Sequence, residues 1–256
     1  MTEQSTIALV TGGSRGLGRA TVEALARRGS NVIFTYNTNK AEAEKVIGLV
    51  EQAEQAGRKA IALQLDTGDT AAFDAFVEKV KDALQTLGAE KFDYLVNNAG
   101  NSSGMSFLNA KEDEFDTLFR IHVKGVFFLT QKLLPLIRDG GRIVNISSGL
   151  TRIIMPNRAA YATMKAAVET MTKYMAFELG ERRIAVNVVA PGAIATDFSG
   201  GTVRDNPEVA KAIGSMTALG RPGVPEDIGP MIASLLSEDN RWVNAQRIEV
   251  SGGMRI

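Results

Sequence analysis

The chain has 256 residues, no cysteine and one histidine. Those counts exclude disulfides, thiolate nucleophiles, Cys-bound zinc or iron–sulfur centres and any multi-histidine metal site, leaving proton chemistry to Tyr, Lys, Asp or Glu, or to His122 alone. Lys+Arg and Asp+Glu each number 29, for a net charge of zero, so neither nucleic acid nor an acidic membrane surface is an expected partner.

Residues Met1–Thr6 are polar, with no basic n-region or apolar h-region, and no apolar run approaches the roughly 18 residues of a membrane span. The expected compartment is the cytoplasm. Ile7–Val10 reads as the first strand. Leu17, Ala20, Ala24 and Leu25 then recur at helical spacing, and Gly29 supplies the stop. Further strands are expected at Val32–Tyr36, Ala60–Leu65, Tyr94–Val96, Arg142–Ile146, Ala185–Val189 and Arg247–Val250. Helices are expected at Lys40–Gln55, Thr70–Leu84, Glu112–Ile137, Ala159–Leu179 and Pro225–Leu236, with a short one at Pro207–Ile213 inside an otherwise irregular stretch from about Pro191 to Pro222. Several strand runs are apolar throughout, as strands buried on both faces of a parallel sheet are. The alternation predicts one α/β domain over residues 1–256: a Rossmann fold with a doubly wound, parallel, seven-stranded sheet and helices on both faces; the strand order 3-2-1-4-5-6-7 is inferred from that fold class, since sequence alone does not give pairing.

Thr11-Gly12-Gly13-Ser14-Arg15-Gly16-Leu17-Gly18 joins the first strand to the first helix. Glycines there permit a tight turn and close approach of backbone to a pyrophosphate, and the helix N-terminus offers free N–H groups. The spacing is Gly-x3-Gly-x-Gly rather than Gly-x-Gly-x-x-Gly. An NAD site places Asp or Glu at the end of strand two, on the ribose 2′-OH. No acidic residue lies between Ala24 and Ala41, and that strand ends Tyr36-Asn37-Thr38. Hydroxyl and amide groups can donate to a 2′-phosphate, and Arg15 supplies positive charge. NADP(H) is therefore favoured over NAD(H); otherwise Arg15 is a solvated charge and Asn37 a turn former. Asp66-Thr67 ends strand three, where Asp66 either accepts from the adenine amino group or caps the next helix. Asn98-Ala99-Gly100, after Asn97, lets the chain pass beneath a cofactor or simply turns.

Tyr161 and Lys165 stand four apart at the start of a helical pattern, on one face. An ammonium beside a phenol stabilises phenolate and lowers the phenol pKa from its reference of about 10, which suits an acid/base for carbonyl–alcohol interconversion. Ser147-Ser148 follows an apolar strand, at the edge where open α/β sheets bind ligands. In this order and spacing, the Gly-rich loop, Asn97-Asn98-Ala99-Gly100, Ser148 thirteen positions before Tyr161, Tyr161-x3-Lys165, and Pro191-Gly192 with Thr196 beyond resemble the short-chain dehydrogenase/reductases over essentially the full chain.

The resemblance implies a nicotinamide-dependent oxidoreductase acting on a small carbonyl or secondary alcohol. Tyr161 would be the general acid/base and Ser148 the donor to the substrate oxygen. Lys165 would bind the nicotinamide ribose and lower the Tyr161 pKa. Pro191, Gly192, Ile194 and Thr196 would line the nicotinamide. The family usually carries Asn where this chain has His122. The residue either replaces the amide's hydrogen bond or itself titrates near neutrality, and the second reading is preferred here. Residues 193–221 are expected to form a substrate lid hinged at Gly200-Gly201, facing a wall at Gly149–Arg158. Arg152 and Arg158 in that wall either meet an acidic group or acyl carrier, as in the similar 3-oxoacyl carrier-protein reductases, or are solvated. The family also implies a homotetramer or homodimer, through the helices expected at Glu112–Ile137 and Ala159–Leu179 and the C-terminal strand; on those helices Val126–Leu129 and Met171, Met175 and Phe177 either offer apolar surface for assembly or are all core. Competing functional readings are an NAD(H)-dependent alcohol or sugar dehydrogenase and a non-catalytic dinucleotide-binding redox sensor.

Overall fold

The structure is a computed structural model and describes residues 5–52 and 57–256. Strands β1 (Ile7–Val10), β2 (Asn31–Tyr36), β3 (Ala60–Gln64), β4 (Phe92–Asn97), β5 (Ile137–Ile146), β6 (Ala185–Pro191) and β7 (Arg247–Val250) form one sheet in the order β3-β2-β1-β4-β5-β6-β7. Every pairing is parallel, as the sequence pattern predicts.

The two-residue period of a strand explains why both faces are apolar. Ala8, Val10, Val32 and Phe34 point to a core completed by α1 (Gly16–Arg27), α2 (Lys40–Gln52) and, from the far end of the chain, the helix Pro225–Leu235. Ile7, Leu9, Ile33 and Ile143 point the other way, onto α3 (Phe73–Thr86), the helix Gly125–Leu133 and the long helix Ala159–Glu178. Leu9, Phe34 and Phe76 are buried in these two cores. The last three residues of the helix expected at Lys40–Gln55 lie outside the described residues.

The single helix expected over Glu112–Ile137 is broken into pieces. It runs as α4 (Glu112–Phe119), one π turn (Arg120–Lys124), α5 (Gly125–Leu133) and a 3₁₀ turn to Leu136, and Ile137 already belongs to β5. The extra residue of the π turn appears as the bond from the Gly125 N–H to the Arg120 carbonyl. A Cβ at Gly125 would stand 2.1 Å from the Thr67 carbonyl oxygen, so the helix crosses the chain after β3 with no room for a side chain. Pro135, lacking an N–H, ends the helix. Single π turns recur at functional sites, and this one holds His122.

The stretch after β6 is more regular than expected. It contains α7 (Thr202–Asp205) and α8 (Pro207–Ser215), followed by α9 (Pro225–Leu235); the long helix Ala159–Glu178 is α6. Of the apolar candidates for assembly, Leu129 and Met171 are buried in the core, whereas Phe127, Phe128 and Phe177 are exposed. Among the described residues, no helix is long and apolar enough to cross a membrane, and no cluster of His, Asp or Glu could hold a metal.

Candidate active site

The carboxyl ends of β1, β4, β5 and β6 converge on one edge of the sheet. At β1, the loop Thr11–Arg15 leads straight into α1, whose N-terminus begins at Gly16. The Gly12 N–H donates to Thr35 Oγ1 (2.9 Å) and the Gly13 N–H to the Thr35 carbonyl (2.8 Å), which fastens the loop to β2. From β4, Asn98 Nδ2 donates to the carbonyls of Thr11 (2.9 Å) and Gly12 (3.0 Å), while Thr11 Oγ1 accepts from the N–H groups of Asn98 and Ala99 at 3.0 Å. Asn98 was expected beside a cofactor; its side chain braces the glycine loop. Thr11, its partner, carries the same duty and was not singled out from sequence.

A dinucleotide suits these residues, because a turn packed too tightly for side chains runs straight into the N-terminus of α1, whose free N–H groups suit a pyrophosphate. A Cβ built on Gly18 would stand 2.1 Å from the Gly12 carbonyl oxygen. Gly18→Ala is therefore expected to cost about 1–3 kcal/mol through overpacking, weakening NADPH binding roughly 10- to 100-fold in a fluorescence titration. Unchanged affinity would show that the loop does not seat the cofactor. Gly16 has φ +55°, and Thr196 lies 3.7 Å from where its Cβ would be, so the segment after β6 meets the loop. Arg15, Asn37 and Thr38 are exposed and Ser14, Leu17, Tyr36 and Thr67 half-buried. Asp66 Oδ1 accepts from the Gly68 N–H (2.8 Å), and the helix cap falls to Asp69, whose carboxylate accepts from the Ala71 N–H. Pro191 and Gly192 end β6, with the Gly192 N–H on the Val250 carbonyl (3.0 Å), and Ile194 bridges Gly223.

Tyr161 and Lys165 both lie in the first turns of α6 and are almost fully buried, at 7% and 5% exposure. Lys165 Nζ lies 5.6 Å from the centre of the Tyr161 ring and donates to the Ile146 carbonyl at 2.8 Å. Ser148, two residues past that carbonyl, caps a 3₁₀ turn by accepting from the Leu150 N–H (3.2 Å). Burial pushes the Tyr161 phenol above its ordinary range, while the Ser148 hydroxyl and then the Arg158 charge pull it back only partly. The expected lowering of this phenol is thus reversed here: desolvation outweighs its neighbours. Burial also lowers the Lys165 ammonium to about 7. Burial thus favours the neutral phenol at Tyr161.

His122 is 1% exposed on the π turn. Its Nε2 meets the Asn101 carbonyl oxygen at 2.8 Å and Asn101 Oδ1 at 3.1 Å. A carbonyl only accepts, so Nε2 carries the proton and Nδ1 is left as a buried acceptor without a protein partner. The ring packs where a Cβ on Gly100 would stand (2.6 Å from Cε1) and meets the Tyr161 ring edge-on at 5.4 Å. Burial, and then the Lys165 charge, lower its pKa to about 2. The expectation that His122 titrates near neutrality is not met: the imidazole stays neutral, because it is sealed from water beside a cation.

Apolar side chains surround Tyr161. Met105 and Leu150 pack on the cluster around Tyr161. From the segment after β6, the Phe198 ring lies tilted at 6.1 Å from that of Tyr161. Ser199 Oγ hydrogen-bonds Ser102 Oγ (2.9 Å), joining this segment to the chain after β4. Ser199, Gly200 and Gly201 all have positive φ, which places a sharp turn where the hinge was expected. Arg204 pairs with Asp197 and Asp205 across that turn. Of the two wall arginines, Arg152 is the one tied up by an opposite charge, while Arg158 lends its charge to the Tyr161 side of the site. Arg152 is paired with Glu249 and donates to the Met254 and Arg255 carbonyls, and Arg158 donates to the Ser103 carbonyl (3.0 Å). Beneath the site, Asn97 Nδ2 donates to Thr130 Oγ1 and Asn145 Oδ1, and Asn145 Nδ2 donates to Thr172 Oγ1, all at 2.8–2.9 Å and all buried. This ladder ties β4 and β5 to α5 and α6 and went unread in the sequence.

A buried Tyr–Lys pair and a serine beside a glycine-rich dinucleotide cradle define a nucleotide-dependent oxidoreductase site. Residues 12–255 match the family model described as Enoyl-(Acyl carrier protein) reductase. An uncharacterized oxidoreductase of Methylorubrum extorquens is 37% identical over 249 residues, spanning 97% of both chains. A versicolorin reductase of Emericella nidulans is 34% identical, spanning 96% of this chain and 94% of its own. The angucycline C-6 ketoreductase LanV, solved with bound NADP, superposes with a TM-score of 0.91 at 35% identity, over 98% of this chain and 95% of that one. The chain belongs to the short-chain dehydrogenase/reductase family.

Proposed function

We propose that the protein is an NADP(H)-dependent ketoreductase, with a planar aromatic ketone as its substrate class. The observation that carries the reaction is the burial of Tyr161, Lys165 and Ser148 together at the sheet edge, next to the glycine loop. Bound NADPH supplies the hydride. As a ketone is reduced, negative charge builds on its oxygen. Ser148 and Tyr161 are the donors available to that oxygen, and Tyr161 delivers the proton. Lys165 places a cation behind the phenol and favours the phenolate that is left. His122, fixed as a neutral acceptor, helps to hold Tyr161 edge-on. Pro191, Gly192, Ile194 and Thr196 would flank the nicotinamide.

The preference for NADP rests on Arg15, Asn37 and Thr38 around the end of β2, where no carboxylate stands to repel a 2′-phosphate. NADP is bound in the similar LanV structure. The aromatic substrate class is supported by Phe198 beside Tyr161 and by Met105 and Leu150, and by similarity to a versicolorin reductase and an angucycline C-6 ketoreductase. Arg152 is engaged by Glu249, which does not favour its meeting a carrier-bound acid. The exposed Phe127, Phe128 and Phe177 support the homotetramer. The test is a panel of aromatic ketones, 3-oxoacyl thioesters and sugars with NADPH and with NADH. Turnover of the ketones with NADPH is the expected result. Tight NADPH binding without turnover of any panel member would favour the redox-sensor reading, and equal turnover with NADH would remove the cofactor preference.

A further inference from the structure

Tyr161, Lys165 and Glu169 follow one another at four-residue steps on α6 and so share one face of the helix. Oxygen Oε1 of Glu169 is a meeting point. It accepts from Ser147 Oγ (2.7 Å), Thr151 Oγ1 (2.8 Å) and Arg247 Nε (2.8 Å). Ser147 and Thr151 flank Ser148, so the carboxylate grips the β5–α6 connection on both sides of the hydroxyl that must face the substrate. Arg247, on β7, supplies the opposing charge and also donates to Thr151 Oγ1 (3.0 Å) and Glu249 Oε2 (3.0 Å). Glu249 in turn pairs with Arg152 and accepts from Ser251 Oγ (2.8 Å). Arg152 closes the chain by holding the Met254 and Arg255 carbonyls at 2.8 and 2.9 Å. Two acids and two bases alternate, and their charges cancel.

We propose that Glu169 is a positioning residue that sets Ser148 in register with Tyr161 and Lys165, and that Arg247 anchors this clamp to the C-terminal strand. The physical reason is that Ser148 and the Tyr161–Lys165 pair arrive on different elements, a strand end and a helix. Their mutual placement to a fraction of an ångström needs a shared anchor, and charge-assisted hydrogen bonds to a carboxylate 17% exposed provide one. None of these groups touches the reacting atoms. The proposal rests on the ketoreductase reading, and its test has an arm independent of that reading.

Glu169→Ala, Glu169→Gln and Arg247→Met are compared with wild type for kcat, KM and NADPH affinity, and for hydrogen exchange over residues 147–152. A misplacement of this kind costs about 10- to 100-fold in rate. Glu169→Ala is expected to lose that much kcat, with KM and NADPH affinity within about threefold of wild type. Glu169→Gln, which keeps an acceptor oxygen for Ser147 and Thr151, should recover most of the rate. Arg247→Met should slow turnover, and adding it to Glu169→Ala should cost little more. Wild-type kcat in Glu169→Ala, or equal losses in the Ala and Gln variants, would overturn the proposal. Should the Ala variant not fold, the same conclusion is read from Glu169→Gln turning over faster than Arg247→Met, and the reverse order overturns it. If wild type reduces no ketone, the reductase reading fails separately. Faster exchange over 147–152 in any folded Glu169 or Arg247 variant then supports the clamp, and unchanged exchange refutes it.

Discussion

Tyr161→Phe is expected to reduce ketone turnover by roughly 10²- to 10⁴-fold, the usual worth of a positioned general acid, while leaving the fold and NADPH affinity intact. The substitution removes only a hydroxyl from a ring that is buried, packed edge-on against His122 and tilted against Phe198. Those ring contacts persist in phenylalanine, so the melting temperature should stay close to that of wild type. Turnover within a few-fold of wild type would mean that another group delivers the proton. The two nearest alternatives are poor acids. His122 is held neutral with its proton committed to Asn101, and Ser148 lacks the acidity.

Lys165→Met has the second largest expected effect, a loss of about 100-fold in kcat/KM, with the opposite sign for stability. Burial depresses the folded-state pKa of Lys165 from 10.5 to about 7. Between those values the unfolded chain binds a proton that the folded chain does not, so wild-type stability rises with pH across that window. Below about pH 7 the folded protein must hold the cation in its interior. Methionine fills similar volume without that cost, and the variant should match or exceed wild-type stability at pH 6. Activity should behave in reverse. The cation that assists Tyr161 is present below about pH 7 in the free enzyme and lost above it, so wild-type kcat/KM for ketone reduction should fall as pH rises through that region. The Met variant should lose this limb. A pH–rate profile shared by both proteins, or a Met variant less stable than wild type at pH 6, would contradict the assignment.

The strands themselves and the Tyr161–Lys165 pairing were legible because both rest on local periodicity, whereas the strand order came from the fold class they imply. Apolar β-branched runs specify buried parallel strands, and a four-residue step specifies one helix face. What depends on distant segments was not legible. The break in the helix predicted for Glu112–Ile137 follows from the Thr67 carbonyl crowding Gly125, a contact between segments nearly sixty residues apart. Burial is equally invisible to a motif: for Tyr161 the sequence shows the neighbouring ammonium but not the desolvation that raises the phenol, and for His122 it does not show the burial that disfavours the imidazolium. Arg152 looked available because Glu249 lies 97 residues away in the chain. The hydrogen bonds by which the Asn98 side chain braces the glycine loop were not legible, since they join segments more than eighty residues apart. Glu169 carried no motif signal, since it acts by joining elements rather than by touching a ligand; Thr11 stood in the glycine motif, but its brace to Asn98 and Ala99 depends on a distant segment.

The central claim is that this site moves a hydride from the nicotinamide to a ketone carbon, with Tyr161 as the proton source. NADPH carrying deuterium on the transferred face of nicotinamide C4, incubated with an aromatic ketone from the panel, tests it most directly by mass spectrometry of the product. The prediction is one deuterium on the carbinol carbon with wild type and almost no alcohol with Tyr161→Phe. Alcohol formed without the label, or formed equally fast by the Phe variant, would contradict it.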